Sequence, residues 1–473
     1  MRILTVAAEL YPYVKVGGLG DVMAALPKAL SRLGADVRLL VPGYPEIRQA
    51  MRGARLVKVF TDLMHCGDAR ILLGESEGGV PLYTLDSPRL FGGDGGPYGD
   101  WNRAHFRFAA LSWAAANLAK EGDSLGWKAD ILHAHDWPTG LAPAYLALAG
   151  GDRPKTLMTI HNIAYQGGFP PSVLNEVWLP PEAYAVEGAE LNGRLSFLKA
   201  GLHYSDRLGT VSPTYAEEIQ HPAHGRGLEG LLAWRRGSLS GILNGIDTEV
   251  WDPARDSHLL FPYGSDALAL RRLGKTALQM ELGLAENREA PLFGMVSRME
   301  EIKGLDLLLP LLPDLAARGA QFALLGSGHP ALEAAFLAAA QAHPRHVAVR
   351  IGYNEGLAHR MYGGLDALVV PSRSEPCGLT QMYALRYGAL PVVRRTGGLA
   401  DTVLDAQDPI AGNGFVFDLE DPADLRDALF RACDLYRESP AVWRKLQVRA
   451  MGIDHGWEAS ARKYLDLFES MLV

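Results

Sequence analysis

Residues 1–34 read "MRILTVAAELYPYVKVGGLGDVMAALPKALSRLG". The apolar run "RILTVAAE" predicts a buried strand, and "DVMAALPKALSRLG" repeats its apolar residues at helical spacing. Between them stand Lys15, Gly17, Gly18, Gly20 and Asp21. A glycine-rich strand-to-helix turn lets backbone amides approach an anion, and the helix dipole and a nearby ammonium add attraction. Phosphate is the ligand that chemistry favours, although a tight turn whose glycines serve only helix–strand packing fits the same letters. Neither common phosphate fingerprint is present. Met23 occupies the last glycine position of G-x-G-x-x-G, no acid directly follows the second strand "VRLLVP", and G-x-x-x-x-G-K-[ST] is absent.

Outward from this turn, short apolar runs alternate with helical ones. "DVRLLVP", "ADILHAHD", "KTLMTIHN", "DRLGTVS" and "LSGILNGID" read as strands of a parallel sheet covered by helices. Ligands of such sheets sit beyond the carboxyl ends of the strands, where His133, His135, Asp136, His161, Asn162 and Ser212 fall. The pattern then restarts. "PLFGMVSRM", "AQFALLGSG", "HVAVRIGY", "DALVVPS" and "LPVVRRTGG" read as strands, with "GLDLLLPLLPDLAARG" and "CGLTQMYALRYG" as helices. The polar, turn-rich "NGIDTEVWDPARD" marks the boundary. The expected division is an α/β domain over 1–243, a second over 244–456, and a final amphipathic helix over 457–473 that packs back on the first. The glycine-rich "FGGDGGPYGDW" (91–101) is expected to act as a mobile flap.

A chain of 473 residues exceeds the roughly 250–300 that one core supports, which agrees with two domains. The formal charge of −8 and the lack of a basic run argue against nucleic acid as partner. No apolar stretch approaches the roughly 18 residues of a membrane span, so no membrane partner is expected either. Cys66, Cys377 and Cys433 are too scattered for a disulfide framework or a C-x-x-C metal pair, and a reducing cytoplasm is the expected location. His133 and His135 have strand-alternating spacing, but a metal site needs a third ligand that the sequence does not supply, and no metal is expected.

Four segments carry candidate chemistry: the opening turn; "TIHNIAYQG", where His161 ends a strand; "SRMEEIKG", with Arg298 and Lys303; and "PSRSEPCGLTQMYAL". In the last, Glu375 precedes a turn and Gly378, Leu379 and Thr380 open a helix. Taken singly, a core histidine, two solvated cations and a charge near a helix start account for them. Taken together, two cations suit a diphosphate, helix-start amides suit its oxygens, and Glu375 is an acceptor for sugar hydroxyls. That combination suits a nucleotide-sugar.

The same residues resemble a known family. "KVGGLGDV", "HAHDW", "TIHNIAYQG", "TVSPTYAEEI", "ILNGID", "VSRMEEIKGLD" and "PSRSEPCGLTQMYALRYGALPVVRRTGGLADTV" occur in the order found in bacterial glycogen synthases, which are closely similar to plant starch synthases. The resemblance implies the GT-B fold, two Rossmann-like domains whose parallel sheets face a deep interdomain cleft. It implies a retaining glucosyltransferase that moves glucose from ADP-glucose to the non-reducing end of an α-1,4-glucan such as glycogen or a malto-oligosaccharide, with no cofactor. By the same resemblance Lys15 with Gly17 and Gly18 touches the donor phosphates, and Arg298 and Lys303 neutralise the departing diphosphate. Glu375 binds glucose hydroxyls beside the amides of Cys377, Gly378 and Leu379, and Thr380 meets the distal phosphate. His161, Asn162 and Asn244 lie by the glucose, Asp136 lies near the acceptor, Tyr353 stacks on adenine, and Asp21 lies near the donor. Many GT-B relatives carry a second Glu eight residues after the first, where this chain has Tyr383. Val16 also replaces a common Thr. The competing readings are a non-catalytic glucan-binding protein on the same fold, a UDP-glucose-using transferase, and a sucrose synthase or phosphorylase. No lysine motif for the pyridoxal cofactor of phosphorylases is found.

Overall fold

The opening apolar run forms β1 (Arg2–Val6), buried along four of its five residues, in the computed structural model, which describes residues 1–93 and 95–473. The chain divides into two units, Met1–Gly245 with Trp457–Val473, and Ile246–Gly456. The division thus falls after Gly245 rather than after residue 243.

The first unit is built on a nine-stranded sheet. Its strands are β1, β2 (Asp36–Pro42), β3 (Arg55–Phe60), β4 (Ala69–Glu75), β5 (Pro81–Asp86), β6 (Ile131–His135) and β7 (Lys155–Ile160), with β11 (Arg207–Thr210) and β12 (Leu239–Gly241) at one edge. The short β8 (Gly168–Phe169), β9 (Glu190–Leu191) and β10 (Arg194–Ser196) form a separate sheet. The large sheet runs β12-β11-β7-β6-β1-β2-β5-β4-β3. It is parallel as far as β5, after which β4 and β3 run antiparallel as an edge that the sequence reading did not find. β1 has β2 on one side and β6 on the other, so the strand order reverses at β1. A crevice forms beyond the strand ends at such a reversal.

The helix Gly18–Arg32 follows β1 directly, burying Leu19, Val22, Met23, Leu26 and Leu30. The helix Trp457–Leu472 packs against it and buries Trp457, Ala461, Tyr464, Phe468 and Met471. Leu472, next to the last residue of the chain, is exposed. Tyr464 and Phe468 lie with ring centroids 5.6 and 5.5 Å from that of His133 on β6.

The second unit has six parallel strands: β13 (Leu292–Val296), β14 (Gln321–Gly326), β15 (Val347–Ile351), β16 (Ala367–Val370), β17 (Leu390–Arg394) and β18 (Phe415–Phe417). Their order is β15-β14-β13-β16-β17-β18, with the reversal at β13. The single helix expected over "GLDLLLPLLPDLAARG" is instead broken into Leu305–Leu308, a tight turn Leu309–Leu311 and Leu312–Ala317. Pro310 and Pro313 explain the breaks, because each lacks the N–H that would continue the ladder. Among the described residues, no helix is long and apolar enough to cross a membrane.

The glycine-rich 91–101 loop is anchored more than its composition suggested. Tyr98 is half-buried against Phe108 and Trp137, and its hydroxyl donates to Glu9 at 2.8 Å. Trp101 stacks on Phe169, centroids 5.3 Å apart. Asp94 of the expected flap lies outside the described residues.

Candidate functional site

In the first unit, the segment between β1 and its helix is organised by Glu9, a residue that sequence reasoning passed over. Glu9 is buried, and its Oε2 accepts the backbone N–H of Val16 at 2.8 Å and of Gly17 at 3.1 Å. The Gly17 amide, expected to face a phosphate, is therefore turned to a carboxylate in this structure. Lys15 pairs with Asp21 across the turn at 2.8 Å. Gly18 is exposed at the first position of the helix, whose first turn no side chain caps. Position alone could have flagged Glu9: it is an acid directly beyond the switch-point strand.

Asp136, His161 and Asn162 are brought together where β6 and β7 end. Asp136 sits at φ +56°, a strained conformation for a residue with a side chain. Its Oδ1 accepts the N–H of His161 at 2.7 Å and of Asn162 at 3.3 Å. Burial nevertheless pushes its carboxyl up to about 7, the two N–H groups pulling against it and the Glu9 charge adding to the rise. His161 Nε2 meets His135 Nδ1 at 2.8 Å, and burial pushes the His161 imidazole down to about 3. His161 is thus a neutral ring at physiological pH. Asn244, near the end of the unit, is buried with its Oδ1 unpartnered, an acceptor that a ligand hydroxyl would satisfy.

The Asp136 shift has a consequence for stability. An unfolded Asp titrates near about 3.9, so native Asp136 carries no penalty below that pH and a growing one from there up to about 7. Asp136→Asn is expected to gain stability relative to the native chain as pH rises, by on the order of 2 kcal/mol between pH 5 and pH 8. Denaturant unfolding of both proteins across that range checks this, and a pH-independent difference would contradict it.

In the second unit the chemistry gathers beyond β13 and β16. Lys303 Nζ pairs with Glu375 Oε2 at 2.7 Å, the two side chains being only 17% and 13% exposed. Ser372 Oγ donates to the same oxygen at 2.8 Å. A lattice of close contacts fixes the two loops. Gly304 follows Lys303 at φ +69°, and a Cβ there would lie 2.0 Å from the carbonyl oxygen of Pro371. Arg373 holds Asp306 through two bonds of 2.7 and 2.6 Å and gives a third to the Glu301 carbonyl. Buried Arg394 donates to the carbonyls of Ser372 and Arg373. The "TGG" turn closes the back: a Cβ on Gly397 would fall 2.1 Å from the Glu375 carbonyl oxygen, and one on Gly398 2.0 Å from that of Cys377. Arg373, Arg394 and Asp306 are supports that motif reading did not single out.

Arg298 lies just past β13 but is half-exposed and pairs with Glu300 at 2.8 Å rather than joining Lys303 on Glu375. Cys377 is a buried free thiol, and Gln381 Nε2 donates to the carbonyls of Cys377 and Gly378 at 3.0 and 2.9 Å. Leu379 and Thr380 begin the helix Thr380–Arg386, whose first turn no side chain caps. Tyr353 follows β15 with its ring exposed, its hydroxyl 3.1 Å from Glu355. Tyr383 lies parallel to Trp251 with centroids 3.9 Å apart, and Trp251 lies 3.9 Å from His359 in turn. An aromatic stack of Tyr383, Trp251 and His359 therefore occupies this face of the helix Thr380–Arg386. Among the described residues, no group of three or more His, Cys, Asp or Glu is arranged to hold a metal ion.

Residues 2–234 match the starch synthase catalytic domain family, and residues 282–445 match the group 1 glycosyl transferases. A glycogen synthase of Paramagnetospirillum magneticum is 49% identical, the match covering 100% of this chain and 98% of its own. One of Aromatoleum aromaticum is 47% identical, over 100% and 97%. The solved catalytic domain of starch synthase IV from Arabidopsis thaliana, bound to ADP and acarbose, matches with a TM-score of 0.88 at 34% identity, covering 99% of each chain. The two parallel-sheet units are the Rossmann-like halves of a GT-B fold. The chain belongs to the glycogen and starch synthase family of GT-B glycosyltransferases.

Proposed function

We propose that this chain transfers glucose from ADP-glucose to the non-reducing end of an α-1,4-glucan, retaining the anomeric configuration. The observation that carries the reading is the braced Lys303–Glu375 pair, within a chain 49% identical from end to end to a glycogen synthase. Lys303 and Arg298 supply positive charge where a departing diphosphate grows negative, the kind of preorganised stabilisation that is usually the largest catalytic term. Lys15 and the Gly17–Gly18 segment bind the donor, with Asp21 orienting Lys15. Glu375 takes sugar hydroxyls, the Cys377–Thr380 segment holds the phosphates, and Tyr353 offers a flat exposed ring to adenine. His161, Asn162 and Asn244 line the sugar, with Asp136 toward the acceptor. A neutral His161 fits hydrogen bonding to sugar better than proton transfer. Same-face substitution assisted by the departing phosphate is the proposed route. The reaction needs no metal or cofactor, and the three free cysteines suit a reducing cytoplasm.

Glucose incorporation into glycogen, measured with ADP-glucose and UDP-glucose side by side, tests this. ADP-glucose is expected to give at least about a tenfold higher kcat/KM. Preference for UDP-glucose would overturn the donor assignment, and no incorporation from either would return the chain to a glucan-binding protein.

A further inference from the structure

The proposed chemistry uses His161 but leaves the histidines behind it unexplained. His133 and His135 share one face of β6, with ring centroids 3.9 Å apart. His133 Nε2 meets Thr159 Oγ1 at 2.8 Å, and His135 Nδ1 meets His161 Nε2 at 2.8 Å. His135 is fully buried, and its Nε2 has no partner. Burial holds all three rings far below the ordinary histidine range, so each carries a single ring proton at neutral pH.

That single proton makes the direction of the His135–His161 bond decidable. If His161 donates from Nε2, the one proton of His135 must sit on its own Nε2, a buried N–H with nothing to receive it. If His135 donates from Nδ1, its Nε2 is only an unmatched lone pair. Orphaned buried N–H groups are the rarer and costlier of the two. We propose that His135 is a positioning residue that donates from Nδ1 to His161 Nε2 and so fixes His161 as its Nδ1–H tautomer, a hydrogen-bond donor to an acceptor oxygen of the sugar. The final clause rests on the glucosyltransferase reading; the tautomer does not. His161 is half-buried, leaving its Nδ1 as the nitrogen available to a ligand.

Long-range proton–nitrogen spectra of the full chain labelled with 15N-histidine test the tautomer directly, the His161 signals being assigned by their loss in His161→Asn. A protonated Nδ1 and a bare Nε2 are expected; a protonated Nε2 on His161 would overturn the proposal. That spectrum needs no activity, so an inactive native chain would sink the proposed function while the tautomer is still read. A kinetic comparison then separates positioning from bulk. Asn at position 135 keeps an N–H donor near the place of Nδ1, whereas Leu does not. His135→Asn is expected to exceed His135→Leu in kcat by about tenfold, with similar KM for ADP-glucose. Equal losses in the two variants would overturn the positioning role.

Discussion

Glu375→Gln and Lys303→Met are each expected to lower kcat for glucosyl transfer by about a thousandfold, while folding stability falls by only about 1–3 kcal/mol. The two side chains meet at 2.7 Å and are largely shielded from water, so each loses its counter-charge when the other is neutralised. Ser372 still donates to position 375 in either variant, and the backbone bracing by Arg373, Arg394 and Gly398 does not involve the pair. The loss therefore falls on charge at the reacting centre rather than on the loop. Because the groups act as a unit, the double substitution should be about as slow as either single one. Rates within tenfold of native would refute the placement of this pair at the chemistry.

Gly304→Ala should be nearly as damaging for a different reason. At φ +69° any side chain is strained, and here the new Cβ would also press to 2.0 Å from the Pro371 carbonyl oxygen, a backbone atom that cannot step aside alone. The loop bearing Lys303 must shift away from the one bearing Glu375. A cost of about 3 kcal/mol or more is expected, with activity lost by at least about a hundredfold because a displacement near 1 Å is enough for that. Gly283 gives the control. It has φ +78° with nothing within 4 Å of a built Cβ, so Gly283→Ala carries the strain without the collision. It should cost about 1 kcal/mol and leave kcat intact. Equal effects of the two substitutions, by unfolding and by glucose transfer, would show that close packing at Gly304 does not hold the site.

Much of this was readable from the letters because parallel sheets announce themselves. "RILTV", "ILHAH" and "LFGMV" are short buried runs, and the polar residues that follow them fall where strands end. What escaped was of two kinds. The antiparallel β3–β4 edge alternates weakly and carries no motif, so nothing local marked it. The helix expected over 304–319 failed because apolar periodicity was weighed ahead of Pro310 and Pro313. Lys303 and Glu375 of the second unit, and His161 and Asp136 of the first, were singled out because charged or polar residues beyond strand ends stand out. Their supports Glu9, Arg373 and Asp306 were not: they act through contacts between residues 7 to 67 positions apart, and one sequence holds no record of such contacts. Glycine needed for close approach, as at Gly304 and Gly397, looks the same in a sequence as glycine needed for a turn.

A crystal structure of the ADP complex tests the central claim most directly. The account predicts the diphosphate against Lys303, Arg298 and the backbone of residues 378–380, with adenine on the Tyr353 ring. Nucleotide bound elsewhere, with Lys303 and Glu375 still paired and untouched, would contradict it.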